Sequence, residues 1–270
     1  MHRIVMSALL AGAVWTGSAA AQDRSVGDDV RNILRDARFI VGAPTHATSE
    51  DLQTFGVLAA VAGSLLFFAD EPVHEWLKTD PFVARVIRPF DEDGPVAIMG
   101  RTWFFLLPLS AVLYGAGHAF DSEDLRDAGL GCATSNVTTT LTRTLTALLI
   151  GRQRPLVGRG PFEFELFAFG DWNGRSFPGG HASNIMSCAS FINHRFDLGI
   201  AEPAIWALAG GIGSARILDE AHWTSDTFVG IAYGYSVGRN VAHRSIERRD
   251  ARRAEQTAQA GLTLRFRIAF

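Results

Sequence analysis

The chain has 270 residues, enough for one or two domains with a sizeable core. Hydrophobic residues make up 47% of it and the formal net charge is −3, so global charge gives no argument for nucleic-acid binding. Its two cysteines, Cys132 and Cys188, sit in separate apolar runs without metal-ligand spacing, and read as two buried thiols; a disulfide is the alternative in an oxidising compartment.

In chain order, residues 1–21 read as an export signal. His2 and Arg3 are the charged end, residues 4–14 the apolar part, and Ala19-Ala20-Ala21 the cleavage site. Residues 22–51 are a polar N-terminal segment, partly amphipathic over 30–41, with no visible chemistry. The apolar run 55–68 is shorter than the roughly 20 residues a spanning helix needs. It closes at Asp70-Glu71-Pro72, and a loop follows in which Asp91-Glu92-Asp93-Gly94 reads as solvated rather than metal-binding. Residues 96–119 are the strongest membrane candidate, with Arg101 near their start placed to snorkel. The run 128–151 is rich in Thr and carries Arg143, which suits a helix packed inside a bundle better than one facing lipid. Residues 152–180 form a long loop that reads as a cover over a site. Most of its aromatics (Phe162, Phe164, Phe167 and Phe169) are expected to pack beneath it.

Residues 182–191, 203–218 and 227–241 complete a helical set with no internal repeat. The expected fold class is all-α: a bundle of about six core helices over 52–245, embedded in a membrane. Residues 246–270 are expected to form a basic tail and a β-like end. The stretch 239–253 carries six arginines against two acids, as a juxtamembrane segment or a solvated helix end would. In 261–270, Leu262, Leu264, Phe266, Ile268 and Phe270 alternate onto one face, the pattern of an edge strand.

Three stretches carry chemistry. Residues 216–226 read Arg-Ile-Leu-Asp-Glu-Ala-His-Trp-Thr-Ser-Asp and place a fixed cation, an imidazole and a carboxylate ahead of an apolar helix. Thr224 and Ser225 are good capping types, and such a helix start attracts anions. An Asp near a His fixes its tautomer and raises its basicity. Phe177-Pro178-Gly179-Gly180-His181 ends a loop and opens a helix, and Arg152-Gln153-Arg154-Pro155 ends another apolar run.

Together these stretches resemble the signature of the type-2 phosphatidic acid phosphatase and vanadium haloperoxidase superfamily: Lys-x6-Arg-Pro, Pro-Ser-Gly-His and Ser-Arg-x5-His-x3-Asp. The chain has Arg154-Pro155, Pro178-x-Gly180-His181 and Arg216-x5-His222-x3-Asp226 in that order, within a likeness covering roughly residues 50–245. It departs where the family has lysine (Ala147), serine before Gly-His (Gly179) and serine before the third-motif arginine (Ala215).

The resemblance implies a metal-free, cofactor-free phosphatase. His222 attacks phosphorus, Asp226 orients it and His181 protonates the leaving oxygen. Arg154, Arg216 and the backbone of Gly179 and Gly180 hold the phosphate, with Arg143 or Arg152 standing in for the missing lysine. The implied substrate is a lipid phosphate or diphosphate. The implied place is the bacterial cell envelope, in the inner membrane with a periplasm-facing site; a soluble periplasmic enzyme is the alternative. A weakened relative that only binds phosphorylated lipid is a competing reading, and a vanadate-dependent peroxidase ranks last.

Overall fold

The structure, a computed structural model, describes residues 25–80, 98, 101–167 and 169–268. The export-signal segment and the acidic stretch 91–94 lie outside the described residues. Among the described residues eight α-helices follow one another: α1 Val26–Val41, α2 Ser49–Phe68, α3 Asp70–Thr79, α4 Leu107–Ala119, α5 Glu123–Ile150, α6 Gly180–Arg195, α7 Glu202–Leu218 and α8 Thr224–Ile268. A π turn, Thr102–Leu106, leads into α4. The described residues thus form an all-α bundle, as the sequence implied.

Side-chain caps set several starts. Ser25 caps α1 and Ser122 caps α5, while Thr48 and Asp51 form a reciprocal capping box on α2. That box starts α2 ahead of the apolar run, giving 20 residues, about 30 Å at the helical rise. Among the described residues α2 is therefore the one helix long and apolar enough to cross a membrane, and none of its residues is buried. This corrects the ranking from sequence, because α4 has only 13 residues.

The site is placed by the contact of α6 with α8, the most extensive helix pair in the bundle. Gly230, Gly234 and Gly238 are spaced to share one face of α8. A Cβ on them would come within 2.5, 2.2 and 2.1 Å of the carbonyl oxygens of Gly179, Ser183 and Ser187. Any side chain there would push the helices apart. The bare stripe brings the start of α8 beside the start of α6, where His222 and Gly180 lie. Phe191, Ile212, Val237 and Val241 fill the core around this contact. Cys132 of α5 and Cys188 of α6, with Cα atoms 4.6 Å apart, form a disulfide, so the expected free thiols are corrected.

The polar N-terminal segment supplies α1, which docks through buried acids. Asp29 accepts the Tyr114 hydroxyl at 2.7 Å, and Asp36 pairs with Arg244 at 2.6 Å and Arg248 at 2.7 and 2.8 Å. Those two arginines of the basic stretch are therefore ion-paired to α1. The expected terminal strand is replaced by helix, since α8 runs on to Ile268. No proline interrupts it, and a helix pairs its own backbone groups where a lone strand would leave them unpaired.

Candidate active site

A cavity of about 430 Å³ opens between the π turn, α5, the 151–179 loop, the start of α6 and the loop before α8. Arg101, Arg143, Arg154, Arg175, His181 and His222 line it, and among the described residues none of its lining is acidic.

His222 is buried. Its Nδ1 lies 2.7 Å from the Ser176 carbonyl, and its Nε2 accepts the Gly180 N–H at 3.2 Å. A carbonyl only accepts and an amide N–H only donates, so the proton sits on Nδ1 and Nε2 is unprotonated, its lone pair on the Gly180 N–H. Burial first, then the charges of Arg143, Arg154 and Arg216, holds its pKa well below the ordinary value. His181 stands in the first turn of α6, and its Nε2 has no hydrogen-bond partner among the described residues. Burial, then Arg216, Arg101, Arg143 and Arg154, lowers its pKa to about 3. Both imidazoles are neutral in the empty site.

Arg143 shares the cavity wall with Ala147, as their spacing on α5 requires. It donates from Nε to the Pro178 carbonyl at 3.1 Å and from Nη2 to the Arg175 carbonyl at 3.2 Å, bracing the loop ahead of Gly180. A Cβ at Gly180 would stand 2.8 Å from Arg143 Nη1, so glycine makes room for this guanidinium. Burial, then Arg154 and Arg175, lowers the Arg143 pKa to about 10, which leaves it charged at neutral pH. Arg154 and Arg175 each lie 5.2 Å from the ring of Trp172, whose face fixes them as cation–π partners.

Three expected roles are corrected by geometry. Neither nitrogen of His222 is bonded to Asp226. Asp226 binds Arg152 at 2.5 Å, the Ser176 hydroxyl at 2.5 Å and the Trp223 N–H at 3.1 Å. It reaches His222 indirectly, through Ser176 and through the Trp223 peptide. Arg152 is not a phosphate ligand: it is buried away from the cavity, between Asp226, Asp70 and the Pro161 carbonyl. The Gly179 N–H is taken by the Asp226 carbonyl at 2.9 Å, so it does not point into an anion site. Arg216 pairs with Asp219, and its charge lowers the pKa of both histidines.

Sequence reasoning missed several members. Arg101 lines the cavity instead of snorkelling, and Arg175, Trp172 and Ser176 belong to the site although no motif marks them. The one available signal was position: Arg175 and Ser176 immediately precede Phe177-Pro178-Gly179-Gly180-His181 in a loop already read as covering the site. That loop's aromatics are not packed beneath it. Phe162, Phe164, Phe167 and Phe169 are all exposed, and Phe162 lies 5.3 Å from Phe67 of α2.

A helical bundle that gathers two neutral histidines and several arginines around one cavity has the make-up of a site for a tetrahedral oxyanion. Residues 127–250 match the family model described as the PAP2 superfamily. A solved structure described as the first transmembrane PAP2-type phosphatidylglycerolphosphate phosphatase, from Bacillus subtilis, is similar at 20% identity. The match covers 81% of this chain and 96% of that one, with a TM-score of 0.47. No curated protein matches the chain.

Proposed function

We propose that this protein hydrolyses a lipid phosphate or diphosphate monoester through a phosphohistidine intermediate. One observation carries the reading: an unprotonated Nε2 on His222 and a buried Nε2 on His181, without a partner among the described residues, share a cavity walled by arginines. Phosphate transfer is limited by charge, and guanidiniums with a fixed fork suit the non-bridging oxygens.

His222 Nε2 attacks phosphorus in line with the ester oxygen, and its Nδ1–H stays on the Ser176 carbonyl. The P–O bond breaks as a proton passes from His181 to the leaving oxygen. Water then attacks the phosphohistidine, His181 takes up a proton from that water, and phosphate leaves. His181 is neutral in the empty site, so it acquires the proton for the first step when the anionic substrate arrives.

The cavity is large enough for a phosphorylated headgroup, and lipid chains must lie outside it. Trp103, Phe104 and Trp172 at its lining are 71%, 73% and 64% exposed, which supports a mouth that meets acyl or prenyl chains. The unburied α2, joined to the loop through the Phe67–Phe162 contact, supports seating in a membrane. The disulfide fits an oxidising compartment. Carbonate extraction tests the membrane assignment, and release of the chain with the soluble fraction contradicts it.

Ala147 and Gly179 favour one second reading, a weakened or inactive relative that binds phosphorylated lipid. Phosphate release across a lipid-phosphate panel separates the two. The catalytic reading expects activity that His222→Ala abolishes, and the second expects binding without turnover.

A further inference from the structure

We infer that Asp70, at the junction of α2 and α3, is a positioning residue for His222, acting through Arg152, Asp226 and Ser176. The inference rests on the functional reading above but concerns a residue and a connection outside its motifs.

The observations form one chain of contacts. Asp70 is 1% exposed, Arg152 2%, Ser225 3%, and Asp226 and Ser176 are fully enclosed. Asp70 Oδ1 accepts the Ser225 N–H at 2.7 Å, and Oδ2 accepts the Ser225 hydroxyl and Arg152 Nη2, both at 2.6 Å. Arg152 turns its other nitrogen, Nη1, onto Ser225 Oγ at 2.7 Å and Asp226 Oδ1 at 2.5 Å. Asp226 Oδ2 accepts the Ser176 hydroxyl at 2.5 Å, and the Ser176 carbonyl receives Nδ1–H of His222 at 2.7 Å. Each member holds the next by a directional bond.

Energetics point to geometry rather than bulk stability as the purpose. Two carboxylates and one guanidinium in a dry interior are costly, and replacing such a set with apolar side chains is often neutral or stabilising. What the set provides is a fixed position for the Ser176 carbonyl, and with it one tautomer and one ring orientation at His222. Outer contacts of this kind tune reactive histidines elsewhere in protein chemistry. Asp70 also satisfies an otherwise unpaired N–H in the first turn of α8 from a distant part of the chain. The rest of α3 grips the same loop: the His74 ring lies 5.3 Å from Trp223, and Lys78 lies 3.8 Å from Glu220.

The test uses the full chain, labelled with ¹⁵N-histidine, as wild type and as Asp70→Asn. NMR reads the His222 tautomer without needing turnover, and phosphate release is measured in parallel. Wild type is expected to show His222 as the single Nδ1–H form. Asp70→Asn is expected to mix the two tautomers and to lower kcat roughly 10- to 100-fold, with KM little changed. A folded Asp70→Asn protein with the wild-type tautomer and wild-type kcat overturns the proposal, as does a loss confined to KM. Should Asp70→Asn not fold, Arg152→Lys reads the same connection, because it keeps the positive charge but loses the two-nitrogen fork that bridges Asp70 and Asp226. An unaltered tautomer and rate there also overturn it. A wild type that releases no phosphate defeats the functional reading alone and leaves the NMR comparison to decide the positioning role.

Discussion

Binding of a tetrahedral dianion should draw a proton into the site. His181 has a pKa of about 3 in the empty cavity, against an ordinary value of 6.5. Returning it to that value takes on the order of 5 kcal/mol. A charge about 4 Å from the ring interacts with it by roughly 4 kcal/mol at an effective dielectric near 20, and a dianion supplies two. The ligand therefore reverses the effect of burial and of the surrounding arginines, and His181 becomes protonated at neutral pH. Sulfate is the right probe, because it does not itself titrate in this range. Calorimetry at pH 7 in buffers of different ionisation enthalpy gives the number of protons taken up. About one per site is expected for wild type, and none for His181→Ala. Wild-type protein that binds sulfate without proton uptake refutes the assignment of His181 as the acid.

Three further outcomes follow from the same geometry. Because the folded-state pKa of His181 lies below its unfolded value, stability is complete above about pH 6.5 and declines as pH falls toward about 3, by on the order of 5 kcal/mol from this group; a urea midpoint that stays flat from pH 7 to 4 contradicts this. Removing the Cys132–Cys188 bridge by Cys132→Ala/Cys188→Ala should cost roughly 4 kcal/mol for a loop of this length, read as a lower thermal midpoint; an unchanged midpoint argues that the bridge constrains nothing. Gly180→Ala places a Cβ 2.8 Å from Arg143 Nη1 and should displace that guanidinium, lowering kcat/KM about 10²- to 10³-fold in a folded protein; full activity would show that Arg143 is not needed where it stands.

The parts of the site legible in the sequence were those written locally. His181 follows a Gly-Gly turn at a helix start, His222 precedes another helix start, and Arg154 follows α5, so short-range pattern identified all three. Arg143 and Ala147 were rightly placed on one wall because helical spacing alone decides that. Long-range pairing was not legible. Asp70 and Arg152 are 82 residues apart, and nothing local marks either as the other's partner. The spacing of His222 and Asp226 invited a direct bond, yet Asp226 sits in the first turn of α8 and faces Arg152 and Ser176 instead. Arg101 looked like a charge at the edge of a lipid-facing run because sequence shows its apolar neighbours but not the cavity on its other side. The last ten residues alternate as a strand would, but with no partner strand among the described residues the backbone pairs within α8 as far as Ile268.

The most direct measurement is phosphate release by purified full-length protein from a panel of lipid phosphates and diphosphates, with His222→Ala alongside. The account predicts turnover by wild type on at least one of these substrates and its disappearance in His222→Ala, with the variant still folded and still binding sulfate. Undiminished turnover by His222→Ala would contradict it outright.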